Sequence, residues 1–248
     1  MLSEHYTITP DEMTEILARL KPHLPPHLKK IGPGPYGGRL TFEFEPFTGR
    51  EAEPVRPSTR HDARLSYVSE DDDPAESLLR EKALRVLDRC FERAQELWRD
   101  AVYVADLRNV AQDAPALWKT YSHERTTLDA AYEYLRTPEA AAEWPSAVSR
   151  LIDAQGRAAA AAAAFDERAE AIADAHYRHL YADLGHIEAL KRAGFADAAD
   201  WHVTDASCYG RSHYSDWETH TPVAEQTRRL IQQQDTHLAK VRRLSRTH

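Results

Sequence analysis

From Leu79 onward, apolar residues recur three and four positions apart along nearly the whole chain. That spacing lines one face of an α-helix and cannot line one face of a strand, whose period is two. The first stripe runs through Leu79, Ala83, Val86, Leu87, Cys90, Ala94, Leu97, Trp98, Ala101, Val104 and Ala105. Persisting to about Val110, it predicts a helix of about 38 residues, about 57 Å long. Asp73-Pro74-Ala75-Glu76 marks its start with a capping acid, a proline in the first turn and a second acid at the third helical position. Cys90 falls on the stripe and reads as a small buried hydrophobe.

Three more helices follow. Asp113 and Pro115 open one whose inner face holds Leu117, Trp118, Tyr121, Leu128, Ala131, Tyr132 and Leu135, with a restart at Thr137-Pro138. Pro145 opens the next, which carries Val148, Leu151, Ile152, the alanines 158 to 164, Phe165, Ile172, Leu180, Leu184 and Ile187. Lys191-Arg192 and Gly194 stop it. Unbroken, it spans about 48 residues and about 70 Å; Gly156 and Gly185 are its weak points. Thr221-Pro222 starts the last helix, with Val223, Thr227, Leu230, Ile231, Gln234, Leu238, Val241 and Leu244 inside.

The N-terminal region reads differently. Thr9, Pro10 and Glu12 start a short helix with Met13, Ile16, Leu17 and Leu20 on one face, stopped by Pro22, Pro25 and Pro26. Residues 31 to 38, Ile-Gly-Pro-Gly-Pro-Tyr-Gly-Gly, read as a turn and lack the Gly-Lys-Ser/Thr ending of a phosphate-binding loop. Residues 40 to 45 alternate with period two and predict a strand; Arg64 to Val68 is its expected partner, across a mobile connection at 48 to 62. The expected fold is therefore mainly α: an elongated up-and-down bundle of about four long helices at 71–248, with an N-terminal α/β appendage containing a β-hairpin at 1–70. Burial of the stripes must hold the helices, since propensity alone does not hold such helices in water.

Composition bounds the function classes. The 248 residues carry a net charge of -8 and a mean hydropathy of -0.65, and no stretch approaches the ~18 apolar residues of a membrane helix. The first residues lack a basic start and an apolar core, so no secretory signal is read. Two cysteines, Cys90 and Cys208, build no disulfide framework, which fits a reducing cytoplasm. Abundant Ala and Arg with only seven lysines fit a GC-rich bacterium or a phage, plasmid or accessory element of such a host.

Candidate sites are of three kinds. Eight of the 13 histidines lie at or after position 176. On one unbroken helix His176, His179, Asp183 and His186 share a face within roughly 80°. Imidazoles and a carboxylate are ligands for zinc, iron or manganese, although no Glu-x-x-His pair occurs and the same residues also fit as histidines at the edge of the core. The joint before the last helix carries Trp201, His202, Asp205, Cys208, Tyr209, Arg211, His213, Tyr214, Asp216, Trp217 and His220, too aromatic for a flexible linker. It reads as an ordered segment, chiefly structural or a binding surface; Cys208 with His202, His213 and His220 also offers a zinc site or a thiol–imidazole pair, at spacings that match no established motif. The last segment is basic, with six bases against two acids, and Arg228, Arg229, Arg242, Arg243 and Arg246 are candidates for phosphate contact.

Hydrolase, dinucleotide-binding, zincin and zinc-ribbon signatures do not occur in the sequence. The leading expectation is an α-helical interaction or assembly protein without enzymatic activity or a required cofactor, engaging a protein partner or a second copy and no membrane. The alternatives are a metal-binding helical enzyme or sensor using the His/Asp stripe, and a nucleic-acid-associated protein using the basic C-terminal helix, which the acidic remainder disfavours.

Overall fold

The computed structural model describes residues 8–33, 40–57, 73–201 and 222–245. Among them are seven α-helices and one two-stranded antiparallel sheet, so the fold is mainly α with a small N-terminal hairpin. No helix of the described residues is long and apolar enough to cross a membrane. The chain divides into two compact units: residues 1–102 with 181–183, and residues 103–180 with 184–248.

In the first unit, helix α1 spans Pro10–Leu20. Its start is a complete capping box: Thr9 N–H donates to the Glu12 carboxylate at 2.8 Å, and Glu12 N–H donates to Thr9 Oγ1 at 3.3 Å. Strand β1 (Leu28–Pro33) pairs with β2 (Leu40–Phe44), with Ile31 opposite Phe42 and a register irregularity between Leu28 and Lys30. Along β2 half-buried Leu40, Phe42 and Phe44 alternate with exposed Thr41 and Glu43, as period two requires. The pairing partner differs from the expected one. Ile31 and Gly32, read as turn residues, lie in β1, because Ile31 joins Leu40 and Phe42 against the apolar cluster of this unit. Arg64 to Val68 lie outside the described residues.

Helix α2 (Pro74–Val110) supplies the other side of that cluster. Ile16 and Leu20 of α1 pack with Leu79, Ala83, Val86, Leu87 and Phe91. Asp73 caps α2 through a bond from Ala75 N–H at 3.1 Å. The segment after β2 is docked on α2 up to residue 57 rather than mobile: Trp98 Nε1 donates to the Glu51 carbonyl at 2.9 Å and Gln95 Nε2 to the Pro54 carbonyl at 3.0 Å. Gly49 (φ 77°) is required there, since a Cβ would stand 2.6 Å from the Ala101 carbonyl oxygen. Because α1, the strands and this segment all pack on α2, the first unit extends to Val102, beyond the expected appendage of residues 1–70. Past that point the buried face of α2 rotates. Tyr103, Leu107 and Ala111 are fully buried, whereas Val104 and Ala105 are only partly so.

The second unit contains α3 (Ala114–Tyr134), α4 (Pro138–Ala142), α5 (Trp144–Arg178), α6 (His186–Arg192), a 3-10 turn at Ala196–Trp201 and α7 (Val223–Ser245). Helix α5 is central, packing against both α3 and α7. Trp118 lies between Tyr121 and Phe165, with ring centroids 5.5 and 5.0 Å away. Leu128, Leu151, Ala154, Ala158 and Leu238 form a second buried cluster. Within it Gln155 Nε2 donates to Gln234 Oε1 at 3.1 Å, a buried polar link between α5 and α7. Asp166 of α5 caps α7 from outside, accepting from Val223 N–H at 3.0 Å and Ala224 N–H at 2.6 Å.

The helix expected from Pro145 to about Arg192, with Gly156 and Gly185 as weak points, is two helices. α5 ends at Arg178, where the backbone of His179 leaves helical geometry (φ -116°, ψ 31°), and α6 begins after an extended Gly185 (ψ 150°). Of the two expected weak points only Gly185 breaks; Gly156 stays helical, flanked by strong helix formers.

Candidate functional site

The break in the helix is what assembles the principal site. Had the helix continued, His186 would stand on the same rod as His176, nearly three turns on. Instead α6 returns its first residue to Tyr103 of α2. Tyr103 is fully buried, and its hydroxyl lies 2.7 Å from His176 Nδ1 and 2.9 Å from His186 Nδ1. The two imidazoles meet edge to face, with centroids 4.9 Å apart, and the His179 ring lies 5.3 Å from that of Tyr103. Asp106, one turn beyond Tyr103, accepts from His179 Nε2 at 3.0 Å and from Arg178 at 2.9 Å.

Proton bookkeeping fixes much of the chemistry here. The phenol has one proton and the two bonds to Nδ1 atoms need two, so at least one imidazole donates through Nδ1–H. His186 is 8% exposed, and its Nε2 is buried without a hydrogen-bond partner. A bare lone pair is tolerated at such a place more readily than an orphaned N–H. We therefore assign His186 as the Nδ1–H donor to Tyr103, with a neutral ring. Burial, with the neighbouring His176 as a lesser cause, pushes His186 down to about 4. Burial, then the proximity of His179, holds His176 below the usual imidazole range.

Three of the four stripe residues expected to act together are thus brought together, though around a tyrosine rather than along one helix. Asp183 is exposed in the segment between α5 and α6, and the carboxylate bonded to His179 is Asp106. Among the described residues no three of His, Cys, Asp or Glu are placed to hold a metal ion together. The imidazoles are held by hydrogen bonds. Tyr103 and Asp106 escaped the sequence reading. The only signal for Tyr103 was its place one position off the expected stripe of α2.

Trp201 is buried against Phe195, with centroids 5.7 Å apart. His202, Asp205, Cys208, Tyr209, Arg211, His213, Tyr214, Asp216, Trp217 and His220 lie outside the described residues, as does Arg246. Arg228, Arg229, Arg242 and Arg243 are exposed on α7. Cys90 is fully buried, and burial pushes its thiol up to about 12, which makes it an inert core residue.

Two surfaces complete the inventory. A groove of about 500 Å3 runs between α3 and α5, with Ala130, Ala131, Ala147 and Ala154 in its lining and Arg150 and Arg157 beside them. Both arginines are paired within the chain, Arg150 with Glu143 at 2.7 Å and Arg157 with Glu124 at 2.9 Å. The second surface is the back of α5. Its buried side holds Leu151, Ala154, Ala158, Ala162 and Phe165, while Ile152, Gly156, Ala159, Ala160, Ala163 and Ala164 are exposed. Comparison with protein-family models, with curated proteins and with solved structures finds no match for the chain.

Proposed function

We propose that the chain is an α-helical assembly protein that pairs with a second copy of itself through the back of α5. The observation that carries this reading is an uncharged helix face left bare. At 100° per residue, Ile152, Gly156, Ala159, Ala160 and Ala163 fall within roughly 100° of one another. The solvent side of such a helix is ordinarily charged. Here Ile152 is 57% exposed, and among the described residues nothing stands within 4 Å of the place a Gly156 Cβ would take. Small side chains let two helix backbones approach closely.

Charge selects the occupant. Exposed Arg150 and Arg157, with Asp153 between them, precede the neutral stretch; exposed Glu167, Glu170 and Asp174 follow it. An antiparallel copy sets basic end against acidic end. Arg157 and Glu167 stand five positions either side of Ala162, so a two-fold axis there brings each Arg157 to the other chain's Glu167. One helix pair buries less than the ~800 Å2 per partner of a standard interface, so a weak, concentration-dependent association is expected. Sedimentation velocity over a concentration series tests the reading. The expected result is a monomer–dimer equilibrium that Ala160→Glu shifts to monomer without loss of helical signal. A monomer up to about 100 µM would refute it.

A further inference from the structure

We propose that Tyr103, His176 and His186 form a proton-sensitive latch that holds α6 on α2 and α5 and releases it on acidification. The hydrogen-bond geometry leaves no place for an added proton. A proton on His186 goes to Nε2, a buried atom with no partner. His176 shares the same phenol oxygen at 2.7 Å, so the two rings are held through one atom. Protonation thus leaves a buried donor unpaired, and burial of an uncompensated imidazolium is costly.

Among the described residues the charged groups that face the latch are already engaged with one another or with backbone carbonyls. From α2 the facing groups are Tyr103, Asp106 and Arg108; from α5 they are Tyr177, Arg178 and His179 beside His176 itself; from α6 there is His186. The Asp106 carboxylate already accepts from Arg178 and His179. Arg108 donates to the carbonyls of Ala193 and Arg192 at 3.2 and 3.4 Å, a tie at the far end of α6 that does not titrate in this range. The latch is therefore the one end of α6 whose attachment to α2 depends on protons.

Amide hydrogen exchange of residues 186–193, corrected for intrinsic rates and run in EDTA, tests the proposal on the full chain. Between pH 7.5 and 4.5 protection of α6 is expected to fall by about tenfold or more, as a proton linked to opening requires. The middle of α5, residues 154–165, serves as the internal reference and should keep its protection. His186→Phe should remove most of the pH dependence. Should that variant misfold, Tyr103→Phe should lower protection of α6 already at pH 7.5. Equal protection of α6 at both pH values, or an undiminished pH response in a folded His186→Phe, would overturn the latch.

Discussion

The two ends of helix α5 are held in place by different physics. Around Leu151 to Phe165 the contacts are apolar and small: Leu128, Leu151, Ala154, Ala158 and Leu238 fill one side, and Trp118 stacks on Phe165. At the C-terminal end the contacts are polar and directional, with His176, His179 and His186 gathered on Tyr103 and Asp106. The first end depends on volume and is indifferent to pH. The second depends on protons and hydrogen-bond geometry. A close-packed seam tolerates no change of size, whereas a buried polar network tolerates no change in its proton count.

The largest effect that would sharpen this contrast is a cavity in the apolar end. Leu151→Ala should lower stability by roughly 2–5 kcal/mol, by the same amount at pH 7.5 and 5, measured by denaturant unfolding. A strongly pH-dependent loss there would break the distinction.

The polar end should show the reverse. His186 lies below its ordinary value of 6.5, at about 4, so the folded state binds fewer protons than the unfolded one in that window. Its contribution is fully present above about pH 6.5 and is lost as the pH falls toward 4, to a total of about 3 kcal/mol. Thermal unfolding between pH 7.5 and 4 should show this loss, and His186→Phe should remove most of it.

Much of this architecture was legible in the sequence because its signals are local. The Thr9–Glu12 capping box, the Asp73 cap and the alternation of β2 need only neighbouring residues, and all three are formed. What was not legible depends on distant partners. Strand β1 carries glycine and proline and becomes a strand only through its pairing with β2. The break after Arg178 was hidden because Leu180, Leu184 and Ile187 continue a helical spacing through it. The carboxylate on His179 comes from Asp106, 73 positions earlier, and no spacing rule reaches that far. His176, His179 and His186, which the sequence clusters on one helix face, meet around Tyr103 in a different geometry, because period alone does not reveal where a helix stops.

A smaller effect concerns α7, which α5 anchors from its apolar end. Asp166→Ala removes both acceptors of the α7 N-terminus and should cost about 0.5–2 kcal/mol, with exchange rising at Val223 and Ala224 before anywhere in α5. The smallest expected effect on stability is on the bare back of the helix. Ala160→Glu should change it by no more than about 0.5 kcal/mol while abolishing self-association, which separates the surface from the core.

The pairing of two copies through that surface is tested most directly by charge exchange, read by sedimentation velocity. Arg157→Glu sets like charges together across the proposed two-fold axis, and also faces Glu124 within the chain, an exposed pair worth about 0–1 kcal/mol. The dimer should weaken in Arg157→Glu and return when Glu167→Arg is added, because the second change restores the contact between chains and leaves Glu124 as it was. A dimer unaffected by the first substitution, or one that the second fails to restore, would contradict antiparallel pairing through α5.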